Sequence, residues 1–292
     1  MYQVTVREYY VFQFMKLNHN GRTEYQGEKE RIKIYKELSS DESYSLFHDK
    51  YQTFLRFADY FGRKVLFFDE TCTYEKFILF SREIQDFVVK PTTSTCGKGI
   101  LFRHFCDNNE KMIEIYKEIS LIAPCLLEEK VIQAPEMADF HHASVNTVRI
   151  VTIYSKSRDE SKIIQATFRM GVGEAHVDNA GSGGICASID IQTGVVYSVG
   201  HNELSYHKYI YHPDTGKQIV GFHIPEWETV CKLAKQLSLI VKEQKIVGWD
   251  FAYTDNGWIM IEGNERPAIQ FLAEPNFGIR SVMTEAIKYC NS

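Results

Sequence analysis

Phe87-Val88-Val89-Lys90-Pro91-Thr92-Thr93-Ser94-Thr95-Cys96-Gly97-Lys98-Gly99-Ile100-Leu101-Phe102 reads as strand, loop and strand. Phe87 to Val89 suit a buried strand, and Ile100 to Phe102 begin a second one. Between them, glycines and hydroxyls let a backbone approach phosphate oxygens and donate N–H and O–H bonds to them. Lys90 and Lys98 supply positive charge. The loop is not a Walker A motif, because Gly97-Lys98 is followed by Gly99 and the upstream glycine is absent. Alone, a Gly/Ser loop between strands is more often a plain β-hairpin, so it counts only in company with other elements.

Working outward, residues 49–62 place Phe54, Phe57, Ala58 and Phe61 on one helical face, core aromatics by default, with Gly62 as a C-terminal cap. Gly27 to Leu38 is helical by period, Phe77 to Lys90 carries apolar runs suited to a helix and then a strand, and Met1 to Leu17 fits either state. Downstream, Asp107-Asn108-Asn109 can cap a helix bearing Met112, Ile115, Tyr116 and Ile119, ended before Pro124. Cys125 to Val131 is a short strand ending in acids. Val145–Tyr154, Lys162–Gly171 and the shorter Gly194–Gly200 are β-rich. Pro225 opens a helix with Trp227, Val230, Ala234, Leu237 and Ile240/Val241 on one stripe. Ile246–Tyr253 and Trp258–Glu262 are joined by Thr254-Asp-Asn-Gly257, and Asn-Gly is a strong hairpin signal. Without a repeat or a Pro/Ser-rich linker, the expected organisation is two lobes touching along a cleft.

The chain has 292 residues, 44% hydrophobic and 24% charged, which excludes disordered and low-complexity classes. Its net charge of -5 disfavours an electrostatically driven nucleic-acid binder. Apolar runs fall far short of the ~20 residues needed for a membrane span. The first residues lack a basic segment followed by an apolar stretch, so no secretory signal is expected. Seven cysteines without a CxxC suggest neither zinc nor a disulfide framework, and the expectation is a reduced, cytoplasmic, soluble protein.

Three constellations carry chemistry. On antiparallel strands Glu262 and Asn264 face the same way, and Asp250 can join them across the ladder. Oxygen-only ligands so placed suit Mg²⁺, although acids at strand ends are often simply solvated. Leu126-Leu127-Glu128-Glu129-Lys130-Val131 offers an acceptor, backbone partners and apolar faces to a purine base; an ordinary edge strand is the competing reading. The Thr92–Gly99 loop is the third. His141-His142 is a weak candidate for a metal or base pair, because adjacent residues do not share a helix face. Ala180-Gly-Ser-Gly-Gly184 after Asp178-Asn179 suits either a backbone clasp for an anionic acceptor or a plain turn, and Cys96 reads as a small loop residue rather than a nucleophile.

In order and spacing, Lys50, Lys90-Pro91 with its loop, Leu127-Glu128-Glu129, Asp250 and Glu262-Gly-Asn264 resemble the ATP-grasp superfamily. Ser144-Val-Asn-Thr-Val-Arg149-Ile-Val-Thr, Arg169-Met-Gly, Asp178-Asn179 and Gly183-Gly184 resemble the sugar-transfer-associated ATP-grasp proteins of polysaccharide gene clusters more closely. The resemblance covers residues 46 to 280. It implies an α+β fold in which two α/β lobes with antiparallel sheets grip ATP between them. The implied division is a short N-terminal segment at 1–45, a lid lobe with the phosphate loop at 46–127, and a core lobe with the metal site at 128–292. By the same resemblance Lys50, Lys90, Thr95, Gly97, Lys98 and Gly99 hold ATP phosphates. Glu128 accepts from the adenine amino group, and Glu129, Lys130 and Val131 line base and ribose. Asp250, Glu262 and Asn264 hold Mg²⁺, while Arg149 and Arg169 stabilise the transferring phosphoryl group and a bound carboxylate.

The implied activity is a Mg-ATP-dependent carboxylate–amine ligase acting through an acyl phosphate, in polysaccharide or sugar-precursor modification. Its partners would be a small-molecule carboxylate and an amine or sugar-linked acceptor. A small-molecule or sugar kinase on the same scaffold is an alternative, and a non-catalytic nucleotide-binding module is another. Superfamily members are often dimers, so a homodimer is implied although no sequence feature fixes an interface. Two departures stand out. Many ATP-grasp ligases carry an arginine two residues before the first metal-binding acid, where this chain has Gly248, so Arg149 or Arg169 must take over or the chemistry differs. Fuller members place an α/β domain ahead of the lid, where only a short segment precedes Lys50 here.

Overall fold

The computed structural model describes residues 2–94, 97–175, 178, 183–202, 207–268 and 278–292, with Asp41 and Glu42 traced through their backbone only. In chain order the elements are α1 (Val6–Val11), α2 (His19–Thr23), α3 (Glu28–Leu38), α4 (Asp41–His48), α5 (Lys50–Phe57), β1 (Val65–Phe68), α6 (Tyr74–Ile84), β2 (Asp86–Pro91), β3 (Leu101–His104), α7 (Asn109–Ser120) and β4 (Cys125–Glu129). They continue with α8 (Pro135–Ala138), β5 (Thr147–Ser155), β6 (Glu160–Met170), β7 (Ile185–Ser188), β8 (Gly200–Asn202), β9 (Lys208–Tyr209), α9 (Trp227–Ile240), β10 (Ile246–Thr254), β11 (Gly257–Asn264) and α10 (Arg280–Asn291). Two compact units result: Ser45–Ile132, and Met1–Tyr44 together with Gln133–Ser292. The 127/128 boundary expected from the sequence falls within β4, and residues 1–44 share a unit with the second half of the chain.

The smaller unit holds a four-stranded antiparallel sheet in the order β1-β4-β2-β3. Leu66, Phe68, Phe87, Val89, Cys125 and Leu127 point from one face into a core with Phe77 of α6 and Met112 and Ile119 of α7. Alternation sends Phe67, Val88, Lys90, Leu126 and Glu128 to the other face. Helix starts follow capping chemistry: Asp49 accepts from the Tyr51 amide at 2.8 Å, and Asn108 from the Lys111 amide at 3.0 Å. The expected 49–62 helix ends at Phe57, continues as a 3₁₀ turn to Tyr60 and reaches Gly62 at φ +58°.

The larger unit is built on a seven-stranded antiparallel sheet, β11-β10-β5-β6-β7-β8-β9. Both sheets are antiparallel throughout their pairings, and helices join them in an α+β architecture. On one face Val151, Ile153 and Ile246 pack with Tyr35 and Leu38 of α3 and with Met283, Ala286 and Cys290 of α10. Farther along β5 and β10 the same face carries Arg149 and Asp250, because each lies two residues on from Val151 or Gly248. Helix α9 packs against β5, β6 and β10 with Trp227, Val230, Ala234 and Leu237 buried, the stripe read from its sequence. The Gly194–Gly200 strand expected from sequence is instead two isolated bridges at Val195 and Val196, and β8 begins only at Gly200. The β10–β11 turn has Asp255 and Asn256 at its tip, with Gly257 at φ +94° pairing Thr254. Met1–Leu17, open between strand and helix by pattern, forms α1 and a 3₁₀ turn around a small core of Phe12, Phe14, Leu17 and Tyr25. Among the described residues no helix is long and apolar enough to cross a membrane.

Candidate functional site

In the larger unit, strand register brings the expected acids together. Asp250 on β10 is paired with Glu262 on β11 and, on its other side, with Arg149 on β5. Gly248 pairs with Asn264, so Glu262 and Asn264 flank the same face of the ladder. Arg149 grips Asp250 with a fork: Nε donates to Oδ1 at 2.6 Å and Nη2 to Oδ2 at 2.7 Å. Arg169, next strand over, donates from Nη1 to Asp250 Oδ2 at 2.5 Å and places Nη2 3.4 Å from Asp178 Oδ1. Arg149 Nη2 lies 3.9 Å from Glu262 Oε1. Three carboxylates thus share two guanidinium groups, leaving the cluster one negative charge in excess.

That excess is distributed unevenly. Burial would raise the Asp250 carboxyl, but Arg149 and Arg169 outweigh it and hold the group below the usual Asp value. Enclosure by protein atoms, and then the facing Asp250 carboxylate, push Glu262 above the usual Glu value. Asp178 is also raised, chiefly by burial against the opposing pull of Arg169. Glu262 remains half-exposed, and Asn264 Nδ2 donates to its Oε1 at 3.3 Å. Hard oxygen donors, a carboxylate reluctant to ionise beside another, and an uncompensated negative charge fit a small divalent cation such as Mg²⁺.

The smaller unit carries the expected cations. Lys90 and Glu128 share a face of the sheet, and Lys90 Nζ donates to Glu128 Oε2 at 2.8 Å. Arg63, two residues before β1, reaches the same oxygen from Nε at 2.7 Å and Nη2 at 2.6 Å. With its side chain 4% exposed, Glu128 still titrates low, at about 2: burial opposes ionisation, and Arg63 and Lys90 overcome it. Lys50 opens α5, where its amide donates to the Thr92 carbonyl at 2.9 Å and its Nζ to the Ser94 carbonyl, tying it to the start of the loop. That loop joins β2 to β3 as an antiparallel hairpin with Gly97 and Gly99 at φ +73° and +74°; Lys98 is exposed. Thr95 and Cys96 lie outside the described residues, as do Asn179, Ala180, Gly181 and Ser182 of the expected clasp. Glu129 exchanges bonds with Lys64 through its amide (2.9 Å) and Oε2 (3.0 Å), the Lys130 amide donates to the Asp86 carbonyl at 3.0 Å, and Val131 is half-buried.

Sequence reasoning missed Arg63 as a member of this cluster. Its only local signal is a cation placed immediately ahead of the apolar run Lys64-Val-Leu-Phe-Phe; the β1–β4 pairing that brings it to Glu128 is long-range. Asp178 was noted in the pattern without a role, and its hold on Arg169 depends on the return of the chain after β6.

A family profile described as sugar-transfer associated ATP-grasp matches residues 30–285. The chain belongs to that family. No curated protein matches its sequence. Among solved structures, the ATP-grasp ligase PsnB complexed with minimal precursor superposes on this ATP-grasp chain with a TM-score of 0.52 at 14% identity, covering 87% of this chain and 63% of that one. D-alanyl-alanine synthetase A from Vibrio cholerae O1 biovar eltor gives 0.53 at 9% identity, covering 86% and 67%. PsnB complexed with a phosphomimetic variant of minimal precursor, Mg and ADP gives 0.50 at 13% identity, covering 87% and 61%. At these identities the likeness establishes the ATP-grasp fold, and the chain spans about two thirds of the length of those ligases.

Position 248 of this ATP-grasp chain shows why the expected arginine is absent. A Cβ there would meet Pro267 Cβ at 2.6 Å and lie 3.7 Å from Arg149 Cδ. The space is occupied by Pro267, and the guanidinium next to it arrives from β5.

Proposed function

We propose that the protein is a Mg-ATP-dependent carboxylate–amine ligase that works through an acyl phosphate, in the modification of a polysaccharide or sugar precursor. The observation that carries this reading is the Arg149–Asp250–Arg169–Glu262 array, in which paired acids and two guanidinium groups share one strand register. Family membership and the ADP- and Mg-bound PsnB neighbour support the nucleotide and the metal. Six free cysteines among the described residues agree with a reduced, cytoplasmic setting.

Asp250, Glu262 and Asn264 would hold Mg²⁺, which when bound neutralises phosphate charge. Lys50, Lys90 and Lys98, with the backbone of Thr95, Gly97 and Gly99, would hold the phosphates. Glu128 would accept from the adenine amino group while Arg63 and Lys90 keep it ionised, and Glu129, Lys130 and Val131 would line base and ribose. A substrate carboxylate oxygen attacks the γ-phosphorus and the bond to the ADP oxygen breaks. The acceptor amine then attacks the acyl carbon, gives up a proton and expels phosphate. Arg149 and Arg169 would stabilise the charge on the transferring group, since such transfers depend on positioning and neutralisation rather than on a protein nucleophile.

The test is mass spectrometry of products formed from pooled acids, amines and sugars with ATP. ADP together with an amide is the expected outcome; ADP with a phosphate ester would mark a kinase instead. Glu262→Gln should abolish Mg²⁺-dependent turnover with the fold intact, and survival of activity at ordinary Mg²⁺ would remove the metal assignment. Lys90→Ala should weaken ATP binding in calorimetry by about 1.5–3 kcal/mol, the scale of a charge-assisted hydrogen bond.

A further inference from the structure

Immediately after β6, the backbone of Gly171 and Gly173 is held by side chains from two other stretches, 141–146 and 212–214. His212, 1% exposed, has Nε2 2.8 Å from the Gly171 carbonyl; His141, 4% exposed, has Nε2 2.8 Å from the Gly173 carbonyl. A carbonyl only accepts, so each Nε2 carries a proton. The Nδ1 of His212 faces the Asp214 amide at 3.4 Å and so accepts, which makes that ring neutral. The Nδ1 of His141 lies 2.8 Å from Ser144 Oγ, which can donate or accept, and 3.2 Å from the Ser144 amide. Asp214 Oδ2 accepts from the Gly173 amide at 2.6 Å and Asn146 Oδ1 from the Gly171 amide at 3.3 Å. A Cβ at Gly171 would lie 2.1 Å from Ser144 Oγ and 2.5 Å from His141 Nδ1, so the His141 ring sits against bare backbone.

This bend lies between two members of the acidic and basic array. Arg169 precedes Gly171 by two residues, and Asp178 follows Gly173 by five. Asp178 accepts from the Thr147 amide at 3.1 Å and from its hydroxyl, and its Oδ1 meets Arg169 Nη2. We propose that His141 and His212 are positioning residues: through their Nε2–H groups they pin the Gly171–Gly173 bend so that the chain returns Asp178 to Arg169. The proposal rests on the reading of Arg169 as a residue of the phosphoryl-transfer site.

Protonating His212 puts an Nδ1–H against the Asp214 amide N–H and removes an acceptor. Burial holds His212 below the usual His value; the Gly171 carbonyl and Asp214 act in the opposite sense, and the neighbouring His141 lowers it further. The other charged groups on the packed segments are Glu174, exposed in the bend, and Lys217, which donates to the Glu136 carbonyl at 2.9 Å and pairs with Asp139 at 3.1 Å. A depressed His value means that the pin is fully present above pH ~6.5 and is lost as pH falls toward the native value.

The experiment is nitrogen-15 NMR and amide hydrogen exchange on the full chain. Both rings are expected as Nε2–H tautomers near neutral pH. His212→Phe should speed exchange of the Gly171 and Gly173 amides at least about tenfold, an opening cost of 1.4 kcal/mol or more. It should also broaden the Arg169 guanidinium signal, leaving Arg149 and the β10 amides as they are. His212→Gln, which keeps an N–H within reach of the carbonyl, should restore both. In the unmodified protein, exchange at Gly171 corrected for its intrinsic rate should rise as pH falls below ~6.5. Nδ1–H tautomers, or an Arg169 signal indifferent to His212→Phe, would overturn the proposal. Absence of ADP and amide from the pooled acids, amines and sugars with ATP would strike the ligase reading and leave these signals unaffected, so the two failures are separable.

Discussion

At Glu128 a single carboxylate takes two cations on one oxygen. Burying an unpaired carboxylate is costly, and the cost is met here by Arg63 and Lys90 at 2.6–2.8 Å. The native pKa of about 2 lies below the ordinary value of 4.5, so the pairing stabilises the fold fully above pH ~4.5 and progressively less as pH falls toward 2. Circular dichroism between pH 5 and 2 should therefore show acid unfolding of the native chain that is shallower in Glu128→Gln, which cannot lose the ion pair on protonation and is less stable at pH 7. A curve of unchanged shape in the variant would contradict the assignment. Sequence alone marked Glu128 and Lys90 as chemically able residues; that they meet follows from β2 and β4 being neighbours in one sheet.

At the scale of elements, β5, β10 and β11 form the frame of the proposed metal site. Their patterns were readable: β-branched and aromatic runs gave the strands, and the Asp255-Asn256-Gly257 turn gave the hairpin. Register was not readable beyond that hairpin, because β5 and β10 are about one hundred residues apart and nothing local sets their alignment. The consequence is seen at position 248. Gly248→Arg restores the arginine many ATP-grasp ligases carry, yet its Cβ would enter Pro267. The substitution should destabilise the larger unit by roughly 1–3 kcal/mol, the scale of overpacking, and should not rescue Arg149→Ala. Tryptophan fluorescence in urea measures this cleanly, since Trp227, Trp249 and Trp258 all lie in that unit. Rescue of turnover by the double variant would show that position 248 can house a working arginine and would overturn the steric account.

For the whole molecule, the first 44 residues complete the larger unit rather than standing apart. Tyr35 donates its hydroxyl to the Pro267 carbonyl at 2.6 Å, and Arg280 donates to the Tyr25 carbonyl at 2.9 Å and pairs with Glu30. Burial drives the Tyr35 phenol well above the usual tyrosine range, so it stays a donor throughout. Tyr35→Phe should lower stability by about 1 kcal/mol in urea and loosen the segment after Asn264, visible as faster exchange at Ala268. No change in either would mean that the N-terminal residues hold this segment through packing alone.

The sequence by itself determined the inventory: an ordinary globular composition, strand and helix periods, a glycine loop, and acids and arginines in an order that resembles one family. Those are properties of short windows, where side-chain period and capping act between near neighbours. Only the tertiary structure decided the partners: Arg63 on Glu128, Arg149 rather than residue 248 beside Asp250, and two histidines on the bend that carries Asp178. Each of those contacts joins residues far apart in the chain, and their distances are set by sheet pairing and burial, for which no local stretch carries a signal.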